Sequence, residues 1–299
     1  MDMYDICCVG HITHDKIVTP KAEVHMAGGT SFYFSNAIRQ MDVRYLLVTA
    51  LAEEQFASVT ALRAKGIEVN ALPSAHTVYF ENIYPENQDH RTQRVLQKAD
   101  PFTPEQLTGV EANVFHLGPL LADDMTVEFI KNLSARARVS LDVQGFLREV
   151  CGQDVCPIDW DEKKEALQYI DILKANEDEM EVLTGQTGVR KGAAILNEWG
   201  VKEVVITLGS MGSVIYADGV FYDIPAYTPS VVADATGCGD TYMAGYLYQR
   251  SKGAGYQEAG EFAAAMASLK IQSSGPFTGT AEDVLAFRET SERKMYVNS

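Results

Sequence analysis

A chain of 299 residues with 46% hydrophobic and 22% charged content has the makings of an ordinary globular protein with a large core. Its formal charge of -16 excludes, on average, a nucleic-acid backbone or an anionic membrane surface as partner. A small polyanion can bind only where amides, a helix terminus or a cation locally reverse that field.

In chain order, short β-rich runs alternate with helical patterns. Ile6 to Val9 leads to a helix near Ser31 to Met41, then a strand at Tyr45 to Ala50 and a helix near Glu54 to Lys65. Val114 to Leu117, a helix over Asp124 to Ala135 and a strand over Val139 to Val143 repeat the rhythm. So do Ile170 to Lys174, the helices Glu177 to Leu183 and Lys191 to Trp199, and Val204 to Leu208. The alternation predicts an α/β fold: one domain over 1–299 with a mostly parallel central sheet flanked by helices and ligands at the strands' carboxyl ends. Segments 12–25 and 77–98 break the rhythm. They read as hairpins outside the sheet, with Pro85 to Asp89 as a turn, forming a small β-strand lid or an inert excursion.

Cys7, Cys8, Cys151, Cys156 and Cys238 are odd in number and lack paired C-x-x-C spacing, so reduced thiols are expected, without a disulfide framework or zinc site. The acidic start Met1 to Asp5 differs from a signal peptide, and no apolar run is long enough to span a bilayer. A soluble cytoplasmic protein with no membrane or nucleic-acid partner is expected. The six histidines lack metal-ligand spacing. His11, His14 and His25 read as lid or loop residues.

The stretch most charged with chemistry is Asp234-Ala-Thr-Gly-Cys-Gly-Asp240. Met243, Tyr246 and Leu247 follow at helical spacing, so Gly237 and Gly239 fall where a loop becomes a helix. The first free amides of that helix make an anion site, to which Gly237, Cys238 and Gly239 would contribute. Asp240 in the first turn can take a proton from an attacking alcohol, or can merely complement the helix dipole.

This loop resembles the D-T-x-G-A-G-D-x-F signature of the ribokinase, or pfkB, family of carbohydrate and nucleoside kinases. Asp234, Thr236, Gly237, Gly239 and Asp240 match by position; Ala235, Cys238 and Tyr242 depart from the commonest choices. Further landmarks follow in order. Gly28-Gly29 with Asn36 is similar to the N-terminal Gly-Gly signature, at a longer spacing, and Asp15 stands where the family binds substrate hydroxyls. Asn176 to Glu179 matches N-x-x-E, and Thr207, Gly209 and Gly212 match a T-x-G-x-x-G turn. Asp142 to Arg148 is similar to a D-x-N-x-R stretch, with Gln144 in the Asn position.

The resemblance implies an ATP-dependent kinase acting on a sugar or polyol hydroxyl. Asp240 is then the base, with an anion hole at Gly237, Cys238 and Gly239. It assigns Asp15, Gly28, Gly29, Asn36 and Arg148 to the substrate. It gives Asn176, Thr207, Gly209, Gly212 and Thr236 to the nucleotide, and Glu179 and Asp234 to Mg2+, with K+ as a further candidate cation. On the residues alone, Asp15 also suits a turn, Glu179 an acidic helix start, and Arg148 a surface ion pair.

The strings Gly28 to Asn36, Leu141 to Gln144 and Leu173 to Ala175 lean towards myo-inositol kinases, with ribose- or fructose-type sugars open. A nucleoside kinase is the alternative, because Tyr33, Phe34 and Tyr79 could stack on a base. Core packing accounts for them equally. A dehydrogenase is disfavoured because Gly10 to Asp15 is not G-x-G-x-x-G, and no Walker motif occurs. A non-catalytic sugar sensor would be expected to have lost Asp240. Exposed lid strands could also pair two copies into a homodimer.

Overall fold

In the computed structural model, residues 3–20, 22–83 and 92–294 are described. The predicted turn at Pro85 to Asp89 lies outside them. Numbered along the chain, the strands begin with β1 (Tyr4–Val9), β2 (Thr13–Val18), β3 (Glu23–Gly28), β4 (Tyr45–Leu51), β5 (Glu68–Pro73), β6 (Val78–Ile83) and β7 (Thr92–Gln97). They continue with β8 (Ala112–Leu117), β9 (Arg138–Asp142), β10 (Arg148–Cys151), β11 (Asp154–Pro157), β12 (Ile172–Asn176), β13 (Glu203–Thr207), β14 (Ser213–Ala217) and β15 (Val220–Ile224). The helices used below are α1 (Thr30–Ile38), α2 (Phe56–Ala64), α3 (Val127–Ser134), α4 (Lys163–Ala166), α5 (Glu177–Thr184), α6 (Val189–Glu198), α7 (Cys238–Ser251) and α8 (Tyr256–Lys270).

Nine strands form the large sheet in the order β15-β14-β13-β12-β9-β8-β1-β4-β5. The run from β13 to β5 is parallel, and β14 and β15 add an antiparallel edge. Parallel strands covered on both faces are apolar on both, and β1 follows the rule: Ile6 and Cys8 enter one core layer, Cys7 and Val9 the other. Helices α1, α2, α7 and α8 cover the first layer, and α3, α5 and α6 the second. From β1 the chain steps to β4 and β5, then returns to β8 on the other side. That reversal opens a crevice at the carboxyl ends of β1 and β8, the place where such sheets bind ligands.

Segments 13–18, 23–28, 78–83 and 92–97 are strands of a second, six-stranded sheet in the order β10-β11-β7-β6-β2-β3. Strand alternation gives this sheet two different faces. Asp15, Ile17, Phe80, Asn82 and Gln93 look onto the crevice. On the other face His14 stacks on His25 at 5.1 Å, with Tyr79 edge-on.

The hairpin β10-β11 was not foreseen, and it corrects the expectation of reduced thiols throughout. Gly152, at φ +70°, turns the chain so that Cys151 and Cys156 meet across the hairpin as a disulfide, their Cα atoms 6.0 Å apart. A hairpin brings together cysteines five apart, a spacing that a search for C-x-x-C passes over. Cys7, Cys8 and Cys238 are free thiols. Among the described residues no helix is long and apolar enough to cross a membrane.

Candidate active site

The crevice is a cleft of about 820 Å³ between the small sheet and the strand ends. Its floor is made where two helices begin. Helix α1 starts after Gly29, at φ +88°, and α7 starts after Gly237, at φ +77°. Both helices direct free amides and the positive end of their dipoles towards the cleft. Gly237 has a second reason to lack a side chain, since a Cβ there would lie 2.1 Å from the Tyr33 ring. Gly28 leaves room for the Asp15 carboxylate, which a Cβ would approach to 2.3 Å.

Asp15, Gly29, Thr30, Gln144, Arg148, Asp234, Thr236, Gly237 and Asp240 all line this cleft. Asp240 is buried in the first turn of α7. Burial pushes its carboxyl up to about 7, helped by the Asp142 charge, while Lys174, the Thr30 hydroxyl and Arg148 pull it back. Gln144 donates through Nε2 to Thr30 Oγ1 at 2.7 Å and fixes the group that faces Asp240. Tyr242, where the family signature has Phe, bonds its hydroxyl to Ser213 Oγ at 2.7 Å and ties α7 to β14.

Lys174, which the sequence reading does not single out, lies beside the cleft without lining it. It is the middle residue of β12, and its ammonium is buried 3.1 Å from Asp142 and 3.8 Å from Glu179. A Cβ at Gly239 would lie 3.4 Å from Nζ, so this cation stands beside the start of α7. Burial alone would lower its pKa, but Asp142, Glu179 and Asp240 raise it. The available signal was a lysine two residues before the N-x-x-E motif in an otherwise apolar strand.

Several assignments change. Asn36 lies inside α1, 1% exposed, where it donates to the Phe32 carbonyl and accepts from Lys65 Nζ at 2.9 Å. It ties α1 to the end of α2 and does not line the cleft. Asp234 is a poor metal ligand because both its carboxylate oxygens are engaged. Oδ1 accepts from the Thr236 amide at 2.9 Å, and Oδ2 from the Gly275 amide at 3.4 Å with Lys270 Nζ at 3.5 Å. Burial opposes ionisation of Asp234, yet these partners hold it below the ordinary carboxylate range. Of the three amides expected to form an anion hole, that of Cys238 donates to the Ala235 carbonyl at 3.2 Å. Its thiol is pushed up to about 11 by burial and stays neutral.

Asn176, Glu179, Thr207, Gly209 and Gly212 do not line the cleft. They follow one another outward along the sheet, at the carboxyl ends of β12 and β13. Asn176 and Glu179 form a reciprocal capping box at the start of α5, each bond 2.8 Å. Glu179 therefore spends Oε2 on the backbone. Among the described residues no three ligating side chains converge on a metal position.

The aromatic platform for a nucleobase is also absent as imagined. Phe34 is fully buried and stacked on His116, and Tyr79 lies on the far face of the small sheet. Tyr33 borders the cleft, but its ring packs under Gly237 and near Lys270.

A parallel sheet with a two-helix anion floor and a buried carboxylate defines a phosphotransferase acting on alcohols. Residues 99–283 match the pfkB family of carbohydrate kinases, and the chain belongs to that family. A pyrophosphate-dependent kinase of the ribokinase family, solved with a pyrophosphate analogue and myo-inositol, superposes with a TM-score of 0.84. It is 30% identical, over 94% of this chain and 99% of that one. The cytidine kinase of Thermococcus kodakarensis is 28% identical over 270 residues, 86% of this chain and 92% of that protein. The ribokinase of Arabidopsis thaliana, solved with ribose and ATP, has a TM-score of 0.81 over 97% of this chain and 100% of that one. At 22% identity this is a likeness of fold.

Proposed function

We propose that this kinase phosphorylates a cyclic polyol, myo-inositol being the first candidate, with ATP as donor and Asp240 as the base. The observation that carries the reading is the placement of Asp240: it is buried at the start of α7 with a carboxyl raised to about 7, in the cleft that Asp15 also lines. A base near neutrality holds a useful fraction of carboxylate and still accepts a proton readily.

In this mechanism the acceptor hydroxyl lies between Asp240 and Asp15. Asp240 takes its proton as the oxygen attacks the phosphorus, and the amides of Gly237 and Gly239 with the Lys174 ammonium stabilise the transferring group. The side chains of Asp15, Asn82, Gln93, Gln144 and Arg148 supply the mixed donors and acceptors that a ring of hydroxyls requires. The small sheet acts as a lid that excludes water from the transfer. A divalent cation, when bound, neutralises charge on the donor's phosphates. Here it would be held mainly by those phosphates and water, with Glu179 as the hard oxygen donor.

The myo-inositol choice is supported by the full-length similarity to the pyrophosphate-dependent kinase solved with that polyol. A related structure describes a myo-inositol-1 kinase converted to a myo-inositol-3 kinase by one Asn and one Ser changed to Leu. Those two positions are as far apart in sequence as Asn82 and Gln93 are here. The same similarity favours a second reading of the donor, pyrophosphate in place of ATP. Nucleosides lose support because, of the three aromatics proposed as a stacking platform, Phe34 is buried, Tyr79 lies on the far face of the small sheet and Tyr33 packs under Gly237.

The test is transfer from ATP or pyrophosphate to inositols, pentoses, hexoses and nucleosides, followed by phosphorus NMR. Turnover of an inositol at least tenfold above any nucleoside supports the proposal. Preference for a nucleoside would overturn it.

A further inference from the structure

Two lysines are buried among the described residues, Lys174 and Lys270. The transfer mechanism uses the first and leaves the second unexplained. Lys270 is 1% exposed, at the last turn of α8. Its ammonium donates to the Asp234 backbone carbonyl at 2.7 Å and lies 3.5 Å from the Asp234 carboxylate. The Tyr33 ring, which packs against Gly237, is 5.9 Å from it.

The end of α8 that carries Lys270 also holds the underside of the loop. The Ile271 carbonyl accepts from the amides of Ala233 and Asp234, at 2.8 and 3.2 Å. The Cys238 thiol points to the Ala267 carbonyl. The end of α8 thus holds the loop by its first residues and by its last. A carbonyl and a carboxylate turned inward leave the following amides to face the cleft. That arrangement needs a positive charge beneath it, since unpaired inward oxygens would repel one another and the incoming phosphates.

We propose that the Lys270 ammonium is the resident cation of this loop, so that phosphoryl transfer by this chain requires no K+. An ammonium and a potassium ion carry the same charge and have similar radii, and both are satisfied by carbonyl and carboxylate oxygens. The oxygens that would suit K+ at Asp234 are already occupied by Nζ, so the candidate K+ does not fit there. Tethering also makes the charge permanent, which suits a chain of net charge -16 that must bind polyanions. Lys270 is a positioning residue: it acts through Asp234 and the loop amides, not on the substrate.

The inference rests on the kinase reading for its activity arm, so its test includes a binding arm that needs no acceptor. Binding of Mg-ATP, or of pyrophosphate with Mg2+, is measured by calorimetry in choline, potassium and ammonium chlorides of equal ionic strength, alongside initial rates. For the wild type, affinity and rate should agree within about twofold across the three salts. Lys270→Ala should lose on the order of 10²-fold in rate in choline, the scale of one lost electrostatic contact. Potassium, ammonium or methylammonium should restore at least about tenfold of it, which a merely structural lysine would not allow.

A wild-type affinity or rate that rises tenfold with potassium would overturn the proposal, as would a Lys270→Ala enzyme that is unimpaired or that no cation rescues. If that variant does not fold, the wild-type salt series decides alone. If no acceptor is phosphorylated but donor binding is independent of potassium in the wild type and dependent on it in Lys270→Ala, the kinase reading has failed while the assignment of Lys270 as the loop's cation stands.

Discussion

Thr30 and Asp240 join the two helix starts on which the cleft is built. The Thr30 hydroxyl, oriented by Gln144, faces the Asp240 carboxylate and favours its charged form, so the first residue of α1 acts on a residue in the first turn of α7. Asp240, the proposed base, is thereby carried by α7 and faced by α1.

Its raised carboxyl has a pH signature. Since Asp240 must be ionised to act, kcat/KM should rise with pH and level off above about 7. Its folded-state value lies above its ordinary 3.8, so its contribution to stability is complete below that value and is lost as pH rises through about 7. Asp240→Asn removes that loss. The variant should melt at a higher temperature than the wild type at pH 8 and at nearly the same temperature at pH 4. Calorimetry at the two values checks the sign.

Lys174→Met should weaken both fold and chemistry. It strands the Asp142 carboxylate, buried and 3.1 Å from the missing charge, at a cost on the order of 3–5 kcal/mol. It also removes a group that lowers the Asp240 carboxyl, so the rise of kcat/KM should move to higher pH. Adding Asp142→Asn should recover part of the stability without recovering the rate. Denaturant titration and pH–rate profiles separate the two effects.

How much of this could be read from sequence follows the range of the interactions. The helix start at Asp240 was legible because Gly-x-Gly and the apolar spacing after it are local, and the alternation of strands and helices gave the large sheet. Lys174 was passed over because its meaning comes from Asp142, Glu179 and Asp240, brought to it from other elements. Asn36 fits a motif by name, but its place well inside α1 points its amide at Phe32 and Lys65. The hairpin joining Cys151 to Cys156 has a short turn signal and no apolar alternation to announce it.

Gly237→Ala tests whether the anion floor needs its bare backbone. The new methyl group must displace the Tyr33 ring and also accept a positive φ. Gly253, at φ +83° with nothing within 4 Å of its Cβ position, isolates the backbone cost in a matching Gly253→Ala variant. Gly253→Ala should lose about 1 kcal/mol of stability and keep its rate. Gly237→Ala should lose more stability and on the order of 10²-fold or more in turnover.

Asn82 and Gln93 meet on the cleft face of the small sheet, where Gln93 Nε2 donates to Asn82 Oδ1 at 3.0 Å. Replacing both by Leu removes polar groups that would grip ring hydroxyls and leaves the donor side untouched. The acceptor KM should rise, or a different hydroxyl should be phosphorylated, while donor affinity stays within about twofold. Each unpaired hydroxyl contact is worth roughly 1–3 kcal/mol, enough to change the preferred orientation. NMR of the product reads the position directly.

The central claim is that Asp240 takes the proton from the acceptor. Its most direct measurement is single-turnover transfer by Asp240→Asn, with donor affinity determined on the same preparation by calorimetry. Donor binding within about threefold of wild type and transfer slower by roughly 10²–10⁴-fold is the expected result. Transfer at nearly the wild-type rate, with the same product, would contradict it.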